Sequence, residues 1–434
     1  MNAVVATAPL QVVRGDARTP LALEAEPIGF GGEARIFRSL NMPGRVAKIY
    51  HEQALAGHAS RAKLLAMLAR PPRALSVHAH GRELPEFAWP TELVEDERGR
   101  FAGFLMPEIA HDGVASLGKY MALSLAQRAL SPEDQSLPRR IAVCRNLSAA
   151  IAEVHRLNHF VVDIKPQNIA MYRDTGMVCL LDNDSFSIAD EPTGRRFPAT
   201  AFSSQYVAPE ILITGASAAS VQDDTQDRFA MAVLMFQILN HGRHPFQGHP
   251  LQPVVEWNDD LCVRQGYYPY GLTPHPAIAP AAGSVHDCLD AHTRRLFDRA
   301  FTAPPAARPT AAQWRDHFDQ LQSAKDSFVR CDRHPSDVRH IHLRALPCAA
   351  CRAEDLQTQA RDVKPVIKAA PAAAGAAPSS VAPAPRWPYW LAAAIAAAIM
   401  TLLVQESRQR GAEDSIPEPD ASISGAPAKS GSEE

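Results

Sequence analysis

Three polar side chains stand at fixed spacing in an otherwise apolar stretch, Val161-Val-Asp-Ile-Lys-Pro-Gln-Asn-Ile169. Asp163 supplies a carboxylate, Lys165 an ammonium and Asn168 an amide, all on one predicted loop. Phosphoryl transfer needs this combination: a base or orienter for the acceptor hydroxyl, a cation for the transferred phosphate and an oxygen ligand for Mg²⁺. The spacing therefore indicates a phosphate-transfer site.

A pair of acidic residues follows a short apolar strand further along the chain. Residues 178–181 read Val-Cys-Leu-Leu, and Asp182-Asn183-Asp184 come directly after them. A carboxylate at the end of a strand is a good Mg²⁺ ligand beside phosphates. The sequence therefore predicts a magnesium ligand at one of these two aspartates.

A glycine-rich turn lies near the start of the chain, between two β-prone segments. It contains Gly29, Gly31 and Gly32. Glycine lets the backbone approach phosphates closely and present its N–H groups to them. The alternative is an ordinary hairpin turn, which this stretch on its own favours.

Lys48 lies in the middle of a strand that reads as buried, Val46-Ala-Lys-Ile-Tyr50. Burying an ammonium is costly unless it meets an anion. At this distance from the glycine turn, Lys48 could reach the α- and β-phosphates of a nucleotide. The alternative is a lysine on an edge strand that faces water.

The elements that must position these residues change character along the chain. Residues 21–106 predict short strands and one helix at 54–69, which Pro71 and Pro72 end. Longer helices are predicted from residue 117 onward, at 139–156, 228–239, 291–301 and 311–324. A strand-rich front followed by a helix-rich back predicts an α+β fold with two lobes.

The order of these motifs resembles the protein kinase superfamily. Further marks follow in the expected order: Tyr206-Val-Ala-Pro-Glu210 resembles the segment that closes the activation loop, Asp227 opens a helix similar to the central helix of the C-lobe, and Arg308 resembles the arginine that pairs with Glu210. The resemblance covers residues 24–322. It implies a two-lobed protein-kinase-like fold with ATP bound between the lobes.

The resemblance also implies roles for single residues. Gly29, Gly31 and Gly32 cover the phosphates, Lys48 contacts the α- and β-phosphates, and a hinge that includes Met106, Glu108 and Ile109 meets the adenine. Asp163 orients the acceptor hydroxyl and Lys165 stabilises the γ-phosphoryl group. Asn168 and Asp182 hold Mg²⁺, with Asp184 as the alternate ligand. Asp227 anchors the backbone of the catalytic loop.

The chain departs from the family pattern at three places. Val161-Val162 replaces the His-Arg before the catalytic aspartate, so we expect regulation by a route other than loop phosphorylation. Asp182-Asn183-Asp184 replaces Asp-Phe-Gly. Residues 61–68, where a helix glutamate should pair with Lys48, contain no acidic residue. The set resembles an atypical bacterial Ser/Thr protein kinase, and the alternative is a nucleotide-binding pseudokinase that acts as a scaffold.

Cysteine and histidine cluster after the kinase-like region. Cys331 and His334 form one pair, and Cys348 and Cys351 form a second pair with the same spacing. Such pairs on tight turns converge on tetrahedral Zn²⁺, which predicts a structural zinc knuckle. His340 or His342 could replace His334, and the alternative is a reduced tail without metal.

The composition and one apolar segment bear on partners and location. A formal net charge of −3 gives no reason to expect nucleic acid as a partner. Seven unevenly spread cysteines argue against a disulfide scaffold and indicate a reducing compartment. An uncharged segment at 387–405, with Trp387, Tyr389 and Trp390 at its start, predicts one transmembrane helix. We therefore expect a single-pass protein of the inner membrane with a cytoplasmic kinase domain that acts on Ser/Thr residues of proteins.

The domain organisation predicted from these patterns has six parts. They are an N-terminal extension at 1–20, the kinase-like domain at 21–325, the Cys/His segment at 326–355, an Ala/Pro-rich linker at 356–386, the transmembrane helix at 387–405 and a disordered polar tail at 406–434.

Overall fold

The computed structural model describes residues 9–56, 60–74, 76–109, 113–121, 131–253 and 257–362. The strands in this part of the chain are β1 (Leu10–Arg14), β2 (Ala17–Leu21), β3 (Gly29–Phe30), β4 (Ala34–Arg38), β5 (Arg45–Tyr50), β6 (Ser76–Ala79), β7 (Arg82–Pro85), β8 (Glu92–Asp96), β9 (Phe101–Pro107), β10 (Val114–Ser116), β11 (Ile169–Tyr172), β12 (Val178–Leu180), β13 (Ile188–Asp190), β14 (Arg195–Phe197), β15 (Gly248–Pro250), β16 (Ile278–Pro280), β17 (Phe328–Arg330) and β18 (Ile341–Leu343).

The α-helices in the same residues are concentrated after β10. They are α1 (Glu52–Ala56), α2 (Arg61–Ala69), α3 (Leu117–Met121), α4 (Pro132–Gln135), α5 (Leu137–Arg156), α6 (Pro209–Thr214), α7 (Thr225–Leu239), α8 (Asp259–Arg264), α9 (Ala291–Thr302), α10 (Ala311–Ser323) and α11 (Ala349–Asp362). The predicted α+β fold with a strand-rich N-lobe and a helical C-lobe is confirmed.

An antiparallel sheet of seven strands forms the N-lobe, in the order β2-β1-β8-β9-β5-β4-β3. The prediction that residues 1–20 stand apart from the domain is wrong, because β1 pairs with β8 and places Val12 opposite Val94. Val12 is buried in one cluster with Leu21 and Leu105. Burial of these apolar side chains makes the first strands part of the sheet.

The predicted helix at 54–69 is two helices in the structure, α1 and α2. Ser60 begins the second helix, since its hydroxyl accepts a hydrogen bond from the Lys63 backbone N–H at 3.3 Å. Such a cap satisfies a donor that the first turn leaves without a partner. The ring N–H of the buried Trp89 donates to the Met67 carbonyl at 3.0 Å, which fixes α2 against the sheet.

The C-lobe core is built around α7, of which almost every residue is buried. The ring centroid of Phe236 on α7 lies 5.2 Å from that of Phe297 on α9, and the Phe297 centroid lies 4.8 Å from that of Trp314 on α10. Helix α5 packs against both α7 and α10. This rigid base supports the short sheet β10-β11-β12, where β11 pairs with β12. The loops before β11 and after β12 therefore meet at one end of that sheet, and Leu181 N–H donates to the Asn168 carbonyl at 2.8 Å.

The Cys/His segment forms the hairpin β17-β18 followed by α11. Helix α11 continues to Asp362, so the predicted start of an unstructured linker at residue 356 is wrong by at least seven residues. No helix in the described part of the chain is long and apolar enough to cross a membrane. The predicted transmembrane helix at 387–405, most of the linker and the polar tail lie outside the described residues.

Candidate functional site

Lys48 lies on β5, between β4 and β9, so the alternative of a lysine on an edge strand is wrong. Its ammonium donates to Asp182 Oδ1 at 2.6 Å and to both oxygens of Asp184, at 2.7 and 2.8 Å. Burial on its own would lower the pKa of Lys48, but these carboxylates outweigh burial and raise the pKa. The lysine is therefore held as a cation at the base of a cleft.

The two aspartates differ in how far they are already engaged. The Asp184 side chain is 7% exposed and also accepts a hydrogen bond from the Tyr50 hydroxyl at 2.6 Å. The Asp182 side chain is 44% exposed, and its backbone has a left-handed conformation with φ of 54°. Asp182 is thus the carboxylate with oxygen surface free to meet a cation from the cleft.

A cavity of about 520 Å³ lies in front of Lys48. The β3-β4 hairpin forms one wall and includes all three glycines of the predicted turn. The opposite wall includes the predicted hinge residues Met106, Glu108 and Ile109. Val46, Ala88 and Leu181 add apolar surface. An apolar slot that ends in a lysine and an exposed carboxylate fits a flat base with a phosphate tail.

The three polar residues of the catalytic loop are brought together. Asp163 Oδ2 accepts from the Lys165 ammonium at 2.5 Å, and the Asn168 side-chain N–H donates to the Asp163 carbonyl at 3.1 Å. The second oxygen of the Asp163 carboxylate is buried and has no hydrogen-bond partner. The Asp163 carboxylate and the Lys165 ammonium are thus held as a pair by contacts within their own loop.

Asp227 holds the backbone just before this loop. Its two carboxylate oxygens accept from the backbone N–H groups of Val161 and Val162, each at 2.7 Å. Val162 has φ of 67°, which is a strained conformation for a β-branched residue. The fully buried Asp227 also contacts His155 Nε2 at 2.9 Å. His155 lies in the last turn of α5, just before the motif at 161–169, and its role was not predicted from the sequence.

Glu210 and Arg308 form a bidentate pair, with N–O distances of 2.6 and 2.7 Å. Arg308 is almost fully buried and also donates to the Thr225 carbonyl at 3.2 Å. The pair ties the segment that follows the activation loop to the last two helices of the C-lobe. Gln226 strengthens this link, because its side chain bonds the backbone of Tyr206 and of Ala208, both at 2.9 Å.

Helix α2 carries a buried cation where the family pattern has a carboxylate. Lys63 is 6% exposed, and its ammonium contacts the Pro198 carbonyl at 3.4 Å. Burial lowers the pKa of Lys63 to about 8. The sequence shows that α2 lacks an acid, but spacing alone does not predict that Lys63 is buried.

The Cys/His cluster differs from the predicted set at one position. The ligand atoms of Cys331, His340, Cys348 and Cys351 all lie within 4.8 Å of one another. His340 Nδ1 lies 3.3 Å from Cys351 Sγ, and its Nε2 lies 3.2 Å from Glu354 Oε1. His340 therefore takes the place predicted for His334.

The reason for this correction is local geometry. The His334 side chain is 42% exposed and its Nε2 lies 3.6 Å from Glu354 Oε2, so it belongs to the outside of the cluster. The second alternative, His342, directs Nδ1 to the Leu343 carbonyl at 3.0 Å. Three thiols and one imidazole with a carboxylate behind it form a donor set that fits a closed, tetrahedral zinc site.

Comparisons with known proteins agree with this geometry. Residues 116–318 match the family model described as "Protein kinase domain". The chain is 28% identical to protein kinase YegI from Escherichia coli K12 over 74% of its length and 48% of the relative. For YegI from E. coli O157:H7 the identity is also 28%, over 79% of the chain and 50% of the relative. Mouse MAP kinase-activated protein kinase 2 is 23% identical over 66% of the chain and 67% of the relative.

The chain spans about half the length of the YegI proteins that it matches. The matched region contains the catalytic loop, the metal-ligand candidates, Asp227 and the Glu210–Arg308 pair, while the sheet that carries Lys48 precedes it. The fold, the cleft and these similarities together lead to one conclusion: residues 116–318 of this chain are similar to a protein kinase domain.

Proposed function

We propose that this chain is a protein kinase that transfers the γ-phosphate of ATP to serine or threonine hydroxyls of proteins. One observation carries the proposal: Lys48 and Asp182 meet at one end of a cavity of about 520 Å³. Lys48 comes from the N-lobe sheet and Asp182 from the loop after β12, and Leu181 beside Asp182 donates to the Asn168 carbonyl of the Asp163 loop at 2.8 Å. A buried lysine that meets an exposed carboxylate in a cleft is a candidate for a functional site.

The residues present fit ATP and Mg²⁺. The glycine hairpin and Lys48 would hold the phosphates, the hinge at 106–109 would hold the base, and Asn168 with Asp182 would hold the metal. Bound Mg²⁺ supplies charge neutralisation for the transferred group. On the protein side, the Asp163 carboxylate would accept the hydrogen of the acceptor hydroxyl and orient its oxygen. Lys165, already 2.5 Å from Asp163, places a positive charge beside the same position.

The test is transfer of labelled γ-phosphate to a generic protein substrate by the purified chain, with Asp163→Asn as the variant. We expect transfer that needs Mg²⁺ and that is lost in the variant. Tight ATP binding by the wild-type chain without any transfer would instead identify a pseudokinase scaffold. The missing helix glutamate is the observation that keeps this second function in view.

We further propose that the Cys/His cluster binds one structural Zn²⁺ through Cys331, His340, Cys348 and Cys351. The close approach of these four donor atoms supports the proposal. Metal analysis of the purified chain should give about one zinc per chain. His340→Ala should lose most of the metal, whereas His334→Ala, the matched control, should retain it. Equal zinc content in both variants would contradict this ligand set.

The location of the kinase is proposed from composition. The uncharged, aromatic-flanked segment 387–405 supports a single membrane helix that tethers the domain to the cytoplasmic face of the inner membrane, with a role in signalling. Cell fractionation should find the full chain in membranes and a chain shortened after residue 364 in the soluble fraction. Recovery of the full chain as soluble protein would contradict the tether.

A further inference from the structure

The charges around Lys48 are arranged differently from the pattern that the motifs predict. The sequence has no acidic residue between Glu52 and Glu83, so α2 cannot offer a carboxylate from any of its turns. Helix α2 instead carries the buried Lys63, which lines a second cavity together with Asp184. The carboxylate that grips Lys48 comes from the loop after β12, as Asp184.

We propose that Asp184 is the positioning residue for Lys48, in place of a helix glutamate, and that Lys63 of α2 is the cation that holds Asp184 from the other side. The ion pair between sheet and helix is thereby inverted: the loop supplies the carboxylate and the helix supplies a positive charge. This inference rests on the proposed kinase function, because Lys48 matters through the nucleotide it holds.

The contacts of Asp184 support a positioning role rather than metal binding. Both of its oxygens are engaged by Lys48, and one of them also accepts from Tyr50. Its side chain is 7% exposed, against 44% for Asp182. A buried carboxylate that already has three short contacts has little capacity left for a cation from the cleft, whereas Asp182 has that capacity.

Lys63 shares a cavity of about 330 Å³ with Asp184 and with Thr200 of the segment after β14. Glu33 and Arg195 line the same cavity. Burial of an ammonium is costly without a nearby anion, and Asp184 is the buried carboxylate that bonds Lys48 and shares this cavity with Lys63. Lys63 also contacts the Pro198 carbonyl, so the same group links α2 to the segment after β14.

A double-mutant cycle on the full chain tests the proposal, with Asp184→Asn and Lys48→Met made singly and together. ATP affinity and the phosphate-transfer rate are both measured. We expect Asp184→Asn alone to lower kcat/KM for ATP about 10²-fold. In the Lys48→Met background, the same substitution should lower kcat/KM for ATP less than about 3-fold. Additive losses would overturn the proposal, because Asp184 would then act independently of Lys48.

The dependence on Mg²⁺ separates positioning from metal binding. We expect Asp182→Asn to raise the Mg²⁺ concentration for half-maximal transfer about 10-fold or more, and Asp184→Asn to leave it within about 2-fold. A shift of the same size in Asp184→Asn would make Asp184 a metal ligand and overturn the inference. Lys63→Met should weaken ATP affinity in the wild-type background but not in Asp184→Asn. An equal loss of affinity in both backgrounds would contradict the proposal that Lys63 acts through Asp184.

Two controls keep the outcome decisive. If Asp184→Asn does not fold, Tyr50→Phe replaces it in the cycle, with an expected loss of about 5-fold from one hydrogen bond. If the wild-type chain binds ATP but transfers no phosphate, the proposed function fails. The cycle in ATP affinity then still decides whether Asp184 positions Lys48.

Discussion

The kinase cleft and the Cys/His cluster bring reactive side chains together by different means. In the cleft, Lys48 meets Asp182 across 134 residues of sequence, on a framework of sheet and buried helices. In the cluster, Cys331 and Cys351 are 20 residues apart and their sulfur atoms lie 3.5 Å from each other. The cleft charges pair among themselves, whereas the cluster collects neutral or negative donors.

The difference shows which region depends on its ligand for structure. The cleft has a large apolar core beneath it, so its geometry follows from the fold. The hairpin β17-β18 and helix α11 contribute few core side chains, among them Leu343. A segment with so little apolar burial gains most from a crosslink, which the proposed structural metal would supply.

The largest expected effect is therefore the removal of zinc from the cluster. A chelator, or Cys351→Ser, should abolish the hydrogen-exchange protection of β17-β18 and α11, since structural zinc contributes on the order of 10 kcal/mol. The amides of β5 and α7 should keep their protection. Hydrogen exchange with mass spectrometry measures both at once, and loss of protection throughout the chain would break the comparison.

The next effect is confined to the cleft. Asp163→Asn should lower the phosphate-transfer rate about 10³-fold, because the carboxylate that accepts the hydroxyl hydrogen is lost. Zinc content and the midpoint of thermal unfolding should stay close to wild type. Asp316→Asn is the matched control on an exposed helix position, and a comparable loss there would mean that the assay reports something other than the cleft.

A smaller effect concerns the Glu210–Arg308 ion pair, which braces the C-lobe beneath the cleft. Arg308→Ala should lower the free energy of unfolding by about 2 kcal/mol, since it leaves the half-buried Glu210 without its partner. Arg315→Ala, which removes an exposed pair with Asp316, should cost less than about 0.5 kcal/mol. Chemical denaturation measures both values, and equal costs would show that the Glu210–Arg308 pair is not a brace.

The smallest effect concerns how the stability of the two-lobed region, as distinct from the Cys/His cluster, depends on pH. Burial among aromatic rings lowers the pKa of His286 to about 3, so the unfolded chain binds this proton first as pH falls below about 6.5. The free energy of unfolding therefore falls by about 1 kcal/mol between pH 7.5 and 5.5. His286→Phe should show a shallower decline of the unfolding free energy over that range by this amount. An unchanged slope would contradict the assignment of this acid sensitivity to His286.

Much of the fold and of the candidate site could be predicted from the order of the motifs and from the strand patterns. The two-lobed fold and strand β5 follow from the apolar periodicity, and the family pattern singled out Lys48, Asp163 and Arg308 from among many charged residues. Each of these lies in a short stretch whose neighbours are strongly patterned. Such local signals survive without knowledge of tertiary contacts.

The failures have a common physical cause. The contact of His340 with Cys351 depends on how β18 packs against α11. The ion pair of Asp184 with Lys48 depends on where the loop after β12 lies relative to the sheet. Strands β1 and β2 join the sheet only because β8 offers them an edge. None of these contacts is local in sequence, so spacing could not decide between His334 and His340 or predict that Asp184 pairs with Lys48.

The most direct measurement is the initial rate of γ-phosphate transfer to protein serine and threonine by the wild-type chain, Lys48→Met and Cys351→Ser, at equal amounts of folded domain. We predict transfer by the wild type, loss of about 10²-fold or more in Lys48→Met, and a rate within about 3-fold of wild type in Cys351→Ser. Undiminished transfer by Lys48→Met would contradict the assignment of the cleft as the site of phosphate transfer.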